Sequence, residues 1–76
     1  MKSVRVKYFA LFREQRGIGE EILQTEAATA EALYAELGFS LPPSLVRCSL
    51  NLEFKPLNSK LQDGDEVVFI PPVAGG

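Results

Sequence analysis

The chain has 76 residues, a formal net charge of −2, one cysteine and no histidine. That length holds one domain, not a cofactor domain plus a substrate domain, and the charge balance argues against a nucleic-acid partner. A lone cysteine excludes an internal disulfide or a multi-thiolate metal site, and the missing histidine removes the commonest general base and metal ligand, so catalytic apparatus is expected on a partner.

Val4-Arg5-Val6-Lys7-Tyr8 alternates apolar and basic side chains, the period of a half-buried strand. Phe9-Ala10-Leu11-Phe12 breaks that period, and polar Arg13 to Arg16 running into Gly17 predicts a turn. Glu20–Thr25 predicts a second strand that returns as a hairpin partner. Thr29 precedes Ala30-Glu31-Ala32-Leu33-Tyr34-Ala35-Glu36-Leu37. Threonine accepts from the free amides of a first helical turn, Glu31 sits at the positive end of the dipole, and Gly38 suits the left-handed closing position. Ala30, Leu33 and Leu37 share one face, so this short helix must dock on a sheet.

Leu41-Pro42-Pro43-Ser44 predicts a loop. From Val46 to Lys55 the alternation predicts one strand, with Val46, Cys48, Leu50, Leu52 and Phe54 on its buried side. Leu57 to Leu61 is a connector carrying a bridge or a turn of helix. Asp63-Gly64 marks a turn. Val67-Val68-Phe69-Ile70 is apolar on both parities, which predicts a central strand covered on both sides.

This order describes an α+β, ubiquitin-like β-grasp: a mixed sheet, one helix packed across it and the last strand central. Residues 1–70 are expected to form the domain, and residues 71–76 an extended C-terminal Gly-Gly tail. No apolar run approaches the ~18–20 residues of a membrane span, and Met1-Lys2-Ser3 leads into no apolar block. A cytoplasmic location and no membrane partner are expected.

Pro71 and Pro72 lack an amide hydrogen and have fixed φ, so they lift the chain off the sheet in a stiffened form. Residues 71–76 reach at most ~20 Å, at roughly 3.3–3.6 Å per residue. Gly75 and Gly76 lack a Cβ and can thread a narrow channel. The chemistry available there is acyl chemistry at the terminal carboxyl, which external activation must first convert into an electrophile. Cys48, on the apolar parity, reads as a small core hydrophobe. Asp63, Asp65 and Glu66 read either as turn chemistry or as a docking patch for a basic partner. Phe9, Leu11 and Phe12 cannot all point inward from a strand or turn. Either at least one of them is exposed as a contact, with Ile70 and Val73 extending the patch, or the second strand and helix cover them all.

Over nearly its whole length the chain resembles the small subunit of molybdopterin synthase, a ubiquitin-like sulfur-carrier family. The resemblance is carried by Val6-Lys7-Tyr8-Phe9-Ala10 with Arg13-Glu14, by Asn51, by Leu61-Gln62-Asp63-Gly64-Asp65-Glu66-Val67, and by Phe69-Ile70-Pro71-Pro72-Val73-Ala74-Gly75-Gly76. It implies a non-catalytic sulfur donor, with no cofactor bound and no metal. Gly76 would be adenylated by an ATP-dependent activating enzyme, converted to a thiocarboxylate with sulfur from a sulfurtransferase donor, and inserted with Pro71, Pro72, Val73, Ala74 and Gly75 into the large catalytic subunit. There the sulfur would pass to cyclic pyranopterin monophosphate, building the molybdopterin dithiolene. Phe9, Arg13 and Ile70 fall where this family contacts the large subunit in a heterotetramer. The competing functions are a ubiquitin-like protein modifier, a sulfur carrier for thiamine thiazole or cysteine synthesis, and a plain interaction module whose tail is never activated.

Overall fold

The first strand, Lys2–Tyr8 (β1), buries Val4, Val6 and Tyr8 and turns its intervening side chains to the opposite face, as period two requires. Glu20–Thr25 (β2) runs antiparallel to it, from Lys2 opposite Thr25 to Lys7 opposite Glu20. The computed structural model describes residues 1–72.

The link between these strands differs from the predicted turn. Ala10–Arg16 forms a short helix (α1), and Gly17 closes it at φ +80°, its N–H bonding the Arg13 carbonyl at 2.9 Å. Arg13 and Arg16 lie in the last turn, where cations suit the negative end of the dipole. Phe12 is the one residue of α1 that is fully buried. Seven residues make two turns, too few for an apolar period to emerge from the sequence, so the polar run beside Gly17 reads as a turn.

Ala30–Leu37 (α2) forms as predicted. The Thr29 hydroxyl accepts from Ala32 N–H at 3.1 Å, and Gly38 closes the helix at φ +70°. Ala30, Leu33 and Tyr34 are buried, with Leu37 packed at the margin of the core. The Pro43-Ser44-Leu45 stretch after it makes a 3-10 turn within the predicted loop.

The predicted strand from Val46 to Lys55 is two strands. Arg47–Leu50 (β3) and Glu53–Lys55 (β4) pair antiparallel around the two-residue turn Asn51-Leu52, both at positive φ (53° and 72°). Two positive φ values are what a tight hairpin needs to match strand twist. The reversal pairs Ser49 with Phe54, so Phe54 lies on the face opposite Cys48 and Leu50. Leu52 and Phe54 are therefore exposed (85% and 74%), whereas Val46, Cys48 and Leu50 are buried as predicted.

Glu66–Ile70 (β5) is central, in the strand order β2-β1-β5-β3-β4. It runs parallel to β1 and antiparallel to β3. Val67 and Phe69 face the helices, and Val68 is buried on the other face between its register neighbours Lys7 and Ser49. The predicted bridge in the connector is Thr29 opposite Lys60. Between sheet and helices, an aromatic cluster joins Phe12, Tyr34, Phe39 and Phe69, with Phe12 and Phe39 rings 4.5 Å apart and Tyr34 and Phe69 rings 5.3 Å apart. Among the described residues no helix is long and apolar enough to cross a membrane.

Candidate functional site at the end of the central strand

The parallel pairing of β1 and β5 brings their C-terminal ends together, with Tyr8 opposite Phe69. Phe9 leaves β1 and Ile70 ends β5 at the same edge. Ala10 then takes φ +48°, which swings the chain sharply from β1 into α1. An open cleft of about 680 Å³ results, lined by Phe9, Ala10, Leu11, Leu41, Ile70, Pro71 and Pro72, with Glu14 the one charged wall residue among the described residues. Phe9 is 54% exposed and Ile70 and Pro71 are half-buried. Of the three neighbouring large side chains, Phe12 is therefore the core residue, Leu11 lines the cleft and Phe9 stands out at its rim.

Four of the predicted residues thus meet: Phe9, Ile70, Pro71 and Pro72. Arg13 lies across Phe9 from them. It lines a separate depression with Lys7, Tyr8, Phe9, Gly19 and Glu20, and its guanidinium lies over Gly19, 3.6 Å from where a Cβ would stand. The sites predicted at Val73, Ala74, Gly75 and Gly76 lie outside the described residues. Leu41, which closes the cleft, carries no signal of its own beyond an apolar side chain before two prolines. It is fixed by Tyr34, whose buried hydroxyl donates to the Leu41 carbonyl at 2.6 Å. A second depression flanks the other side of the strand end, with Leu45, Arg47 and Phe54 opposite Ile70, Pro71 and Pro72. The turn at Asn51-Leu52 puts Phe54 there.

Two hydrogen-bonded devices hold the cleft wall. At the base of α1, the Tyr8 hydroxyl donates to Glu21 Oε2 at 2.6 Å, and Arg16 Nε donates to the same oxygen at 2.8 Å. Burial opposes ionisation of Glu21, but these donors and the guanidinium charge outweigh it and hold the carboxyl below its usual range. Burial, reinforced by the adjacent carboxylate, drives the Tyr8 hydroxyl well above the ordinary tyrosine range. Further along the helix, Gln15 Nε2 donates to Ser40 Oγ at 2.7 Å and Gln15 Oε1 accepts from Ser40 N–H at 3.2 Å, linking α1 to the segment that carries Leu41.

The acidic cluster serves the fold. Asp63 Oδ1 accepts from Ser3 N–H at 2.7 Å, and Asp65 Oδ2 accepts from Gln62 N–H at 2.8 Å. Asn51 clasps the same turn: its Nδ2 donates to Asp65 Oδ1 at 2.9 Å and its Oδ1 accepts from Glu66 N–H at 3.0 Å. Glu66 faces Lys7 at 3.7 Å. Of the two readings of these acids, the turn chemistry is the one the geometry supports. Cys48 is buried, its thiol donating to the Lys55 carbonyl at 3.3 Å, and burial pushes its pKa up, away from the reactive thiolate. Among the described residues no group of three or more carboxylates and thiols could hold a metal ion.

The model of the ThiS family matches residues 6–76. The chain is 34% identical to the molybdopterin synthase sulfur carrier subunit of Haemophilus influenzae, over 96% of this chain and 99% of that protein. The structure of a putative molybdopterin converting factor subunit 1 from Pyrococcus furiosus superposes with a TM-score of 0.74 at 30% identity, covering 96% of this chain and 100% of the other. A chain of the complex of subunits 1 and 2 of the Helicobacter pylori molybdopterin-converting factor superposes with a TM-score of 0.61 at 27% identity, covering 97% of this chain and 99% of that chain.

Proposed function

Because this chain belongs to the ThiS family, we propose that it is the sulfur-carrier small subunit of a molybdopterin synthase and carries sulfur as a thiocarboxylate on Gly76. The single observation that carries the reading is the apolar cleft around the end of β5. The central strand delivers Pro71 and Pro72 into a surface lined by Phe9, Leu11, Leu41 and Ile70, and Val73-Ala74-Gly75-Gly76 follows in sequence. An apolar cleft at the base of such a segment is a place to dock while the segment reaches into a partner.

Most of the chemistry belongs to partners. At neutral pH a terminal carboxylate is an anion and a poor electrophile. An activating enzyme joins it to ATP, forming the acyl-adenylate and releasing pyrophosphate. The outer sulfur of a persulfide on a donor sulfurtransferase displaces AMP, and a second thiol then cleaves the resulting acyl disulfide, forming a disulfide with the donor's own sulfur and leaving the thiocarboxylate on Gly76. In the large subunit that sulfur replaces an oxygen substituent on a carbon of cyclic pyranopterin monophosphate, the oxygen leaving as water or as the opened phosphate ester, and water cleaves the acyl–sulfur bond, returning Gly76 to the carboxylate. Two discharges supply both sulfurs of the dithiolene.

This chain's own contribution is placement. Phe9 and Ile70, with Leu11 and Leu41 beside them, pack on the large subunit, and Arg13 pairs with an acidic group at the margin. The paired Pro71 and Pro72 set the direction of insertion, and Gly75 and Gly76 pass a channel too narrow for side chains. The large subunit of the H. pylori complex is the kind of partner intended. Loading that consumes ATP is consistent with a cytoplasmic location.

A chain lacking Gly76 tests the proposal in a reconstituted synthase. It is expected to fold, to bind the large subunit and to yield no dithiolene. Dithiolene formation at the full rate would overturn the assignment.

A further inference from the structure

The sheet has two edges, and β4 forms one of them. Its partner β3 alternates the direction of its backbone groups. Asn51 N–H bonds the Glu66 carbonyl across β5, so Cys48 and Leu50 turn their backbone groups the other way, to Lys55 and Glu53. The same alternation directs the N–H and C=O of Phe54 away from β3, to the open edge. On this edge Phe54 is 74% exposed, and it is flanked by Glu53 and Lys55, one of each sign, 3.3 Å apart.

We propose that β4 pairs with β4 of a second copy of this chain, antiparallel about a two-fold axis at Phe54. In that register each Phe54 N–H donates to the Phe54 carbonyl of the other copy. The flanking positions become the close, non-hydrogen-bonded pairs, with Glu53 facing Lys55 and Lys55 facing Glu53. The four charges alternate in sign, and no like charges face one another. The two Phe54 rings come together on the open face of the sheet. A two-fold contact requires this self-complementarity. The edge strand β2 lacks it, since its charges, Glu20 and Glu21, have one sign. Three residues and two backbone bonds make a weak, concentration-dependent pair. Phe54 also lines the depression beside Pro71 and Pro72, so pairing occupies that flank of the strand end.

The test is sedimentation equilibrium of the whole chain between about 10 μM and about 1 mM, a range that brackets weak association. It needs no loading enzyme, so it stands apart from the sulfur-carrier reading. The chain is expected to dimerise within that range. Glu53→Lys and Lys55→Glu are each expected to weaken the dimer at least about tenfold. The double variant Glu53→Lys/Lys55→Glu restores the facing signs and is expected to return the affinity to within about threefold. A chain that stays monomeric throughout would overturn the proposal. So would a dimer indifferent to the single swaps, or one that the double swap fails to restore while circular dichroism shows the fold intact.

Discussion

Tyr8 and Phe69 stand opposite one another on parallel strands, both buried against the helices, and the residues that follow them, Phe9 just beyond β1 and Ile70 at the end of β5, lie at the same end of the sheet. One register thereby joins the core to the surface cleft. A shift by one residue would send Phe9 inward and Tyr8 out, because side chains alternate between faces. The cleft forms where the first strand ends at Tyr8 and the central strand one residue later at Ile70.

Phe9→Lys tests the cleft as a docking surface. Phe9 is more than half exposed, so the fold loses little when it is replaced. A charge placed at an apolar contact is expected to weaken large-subunit binding by about 2 kcal/mol, roughly thirtyfold. Calorimetric titration gives the affinity, and thermal unfolding should shift by no more than about 3 °C. Unchanged binding would remove Phe9 from the interface.

Leu52→Gly is expected to stabilise the fold. Leu52 sits at φ +72° with its side chain in solvent, a conformation costing an L-residue about 1–2 kcal/mol. Glycine takes it freely at an entropy cost of about 0.5–1 kcal/mol. A net gain of up to about 1.5 kcal/mol should be read in urea denaturation. Asn51→Ala should act the other way, by about 1 kcal/mol, since it removes the side chain's exposed hydrogen bonds to Glu66 N–H and Asp65.

These two residues also show what a sequence conceals. A two-residue turn preserves strict alternation along the chain while exchanging the faces in space, so the period predicts Phe54 inside and the fold puts it outside. Asn51 is the only local sign of the reversal, as a residue that tolerates the left-handed region. The helix Ala30–Leu37 is legible because both of its ends are written in side chains, Thr29 and Gly38. The helix Ala10–Arg16 is not, because a single core residue, Phe12, marks no period. Of the cleft, Phe9 and Ile70 to Pro72 lie at visible breaks in pattern. Leu11 and Leu41 join them only through tertiary packing, which no local signal encodes.

Glu21→Gln probes the network beneath α1. The folded-state pKa of Glu21 is depressed, so its contribution is complete above the unfolded value of about 4.3 and is lost as pH falls through the folded value. The wild-type chain should lose stability on acidification below about pH 4.3 more steeply than the variant. At neutral pH the variant should be less stable by about 1–3 kcal/mol, having lost charge-assisted bonds to Tyr8 and Arg16. Urea midpoints across pH measure both.

The most direct measurement is intact and fragment mass spectrometry of the chain after incubation with an activating enzyme, ATP and a sulfur source, followed by addition of the large subunit and cyclic pyranopterin monophosphate. Expected is one oxygen exchanged for sulfur, localised by fragmentation to Gly76 rather than to Met1 or Cys48, and restored to oxygen after the second addition. A Gly76 carboxylate that never acquires sulfur while dithiolene still forms, or that is recovered joined to lysines with no sulfur returned, would contradict the assignment.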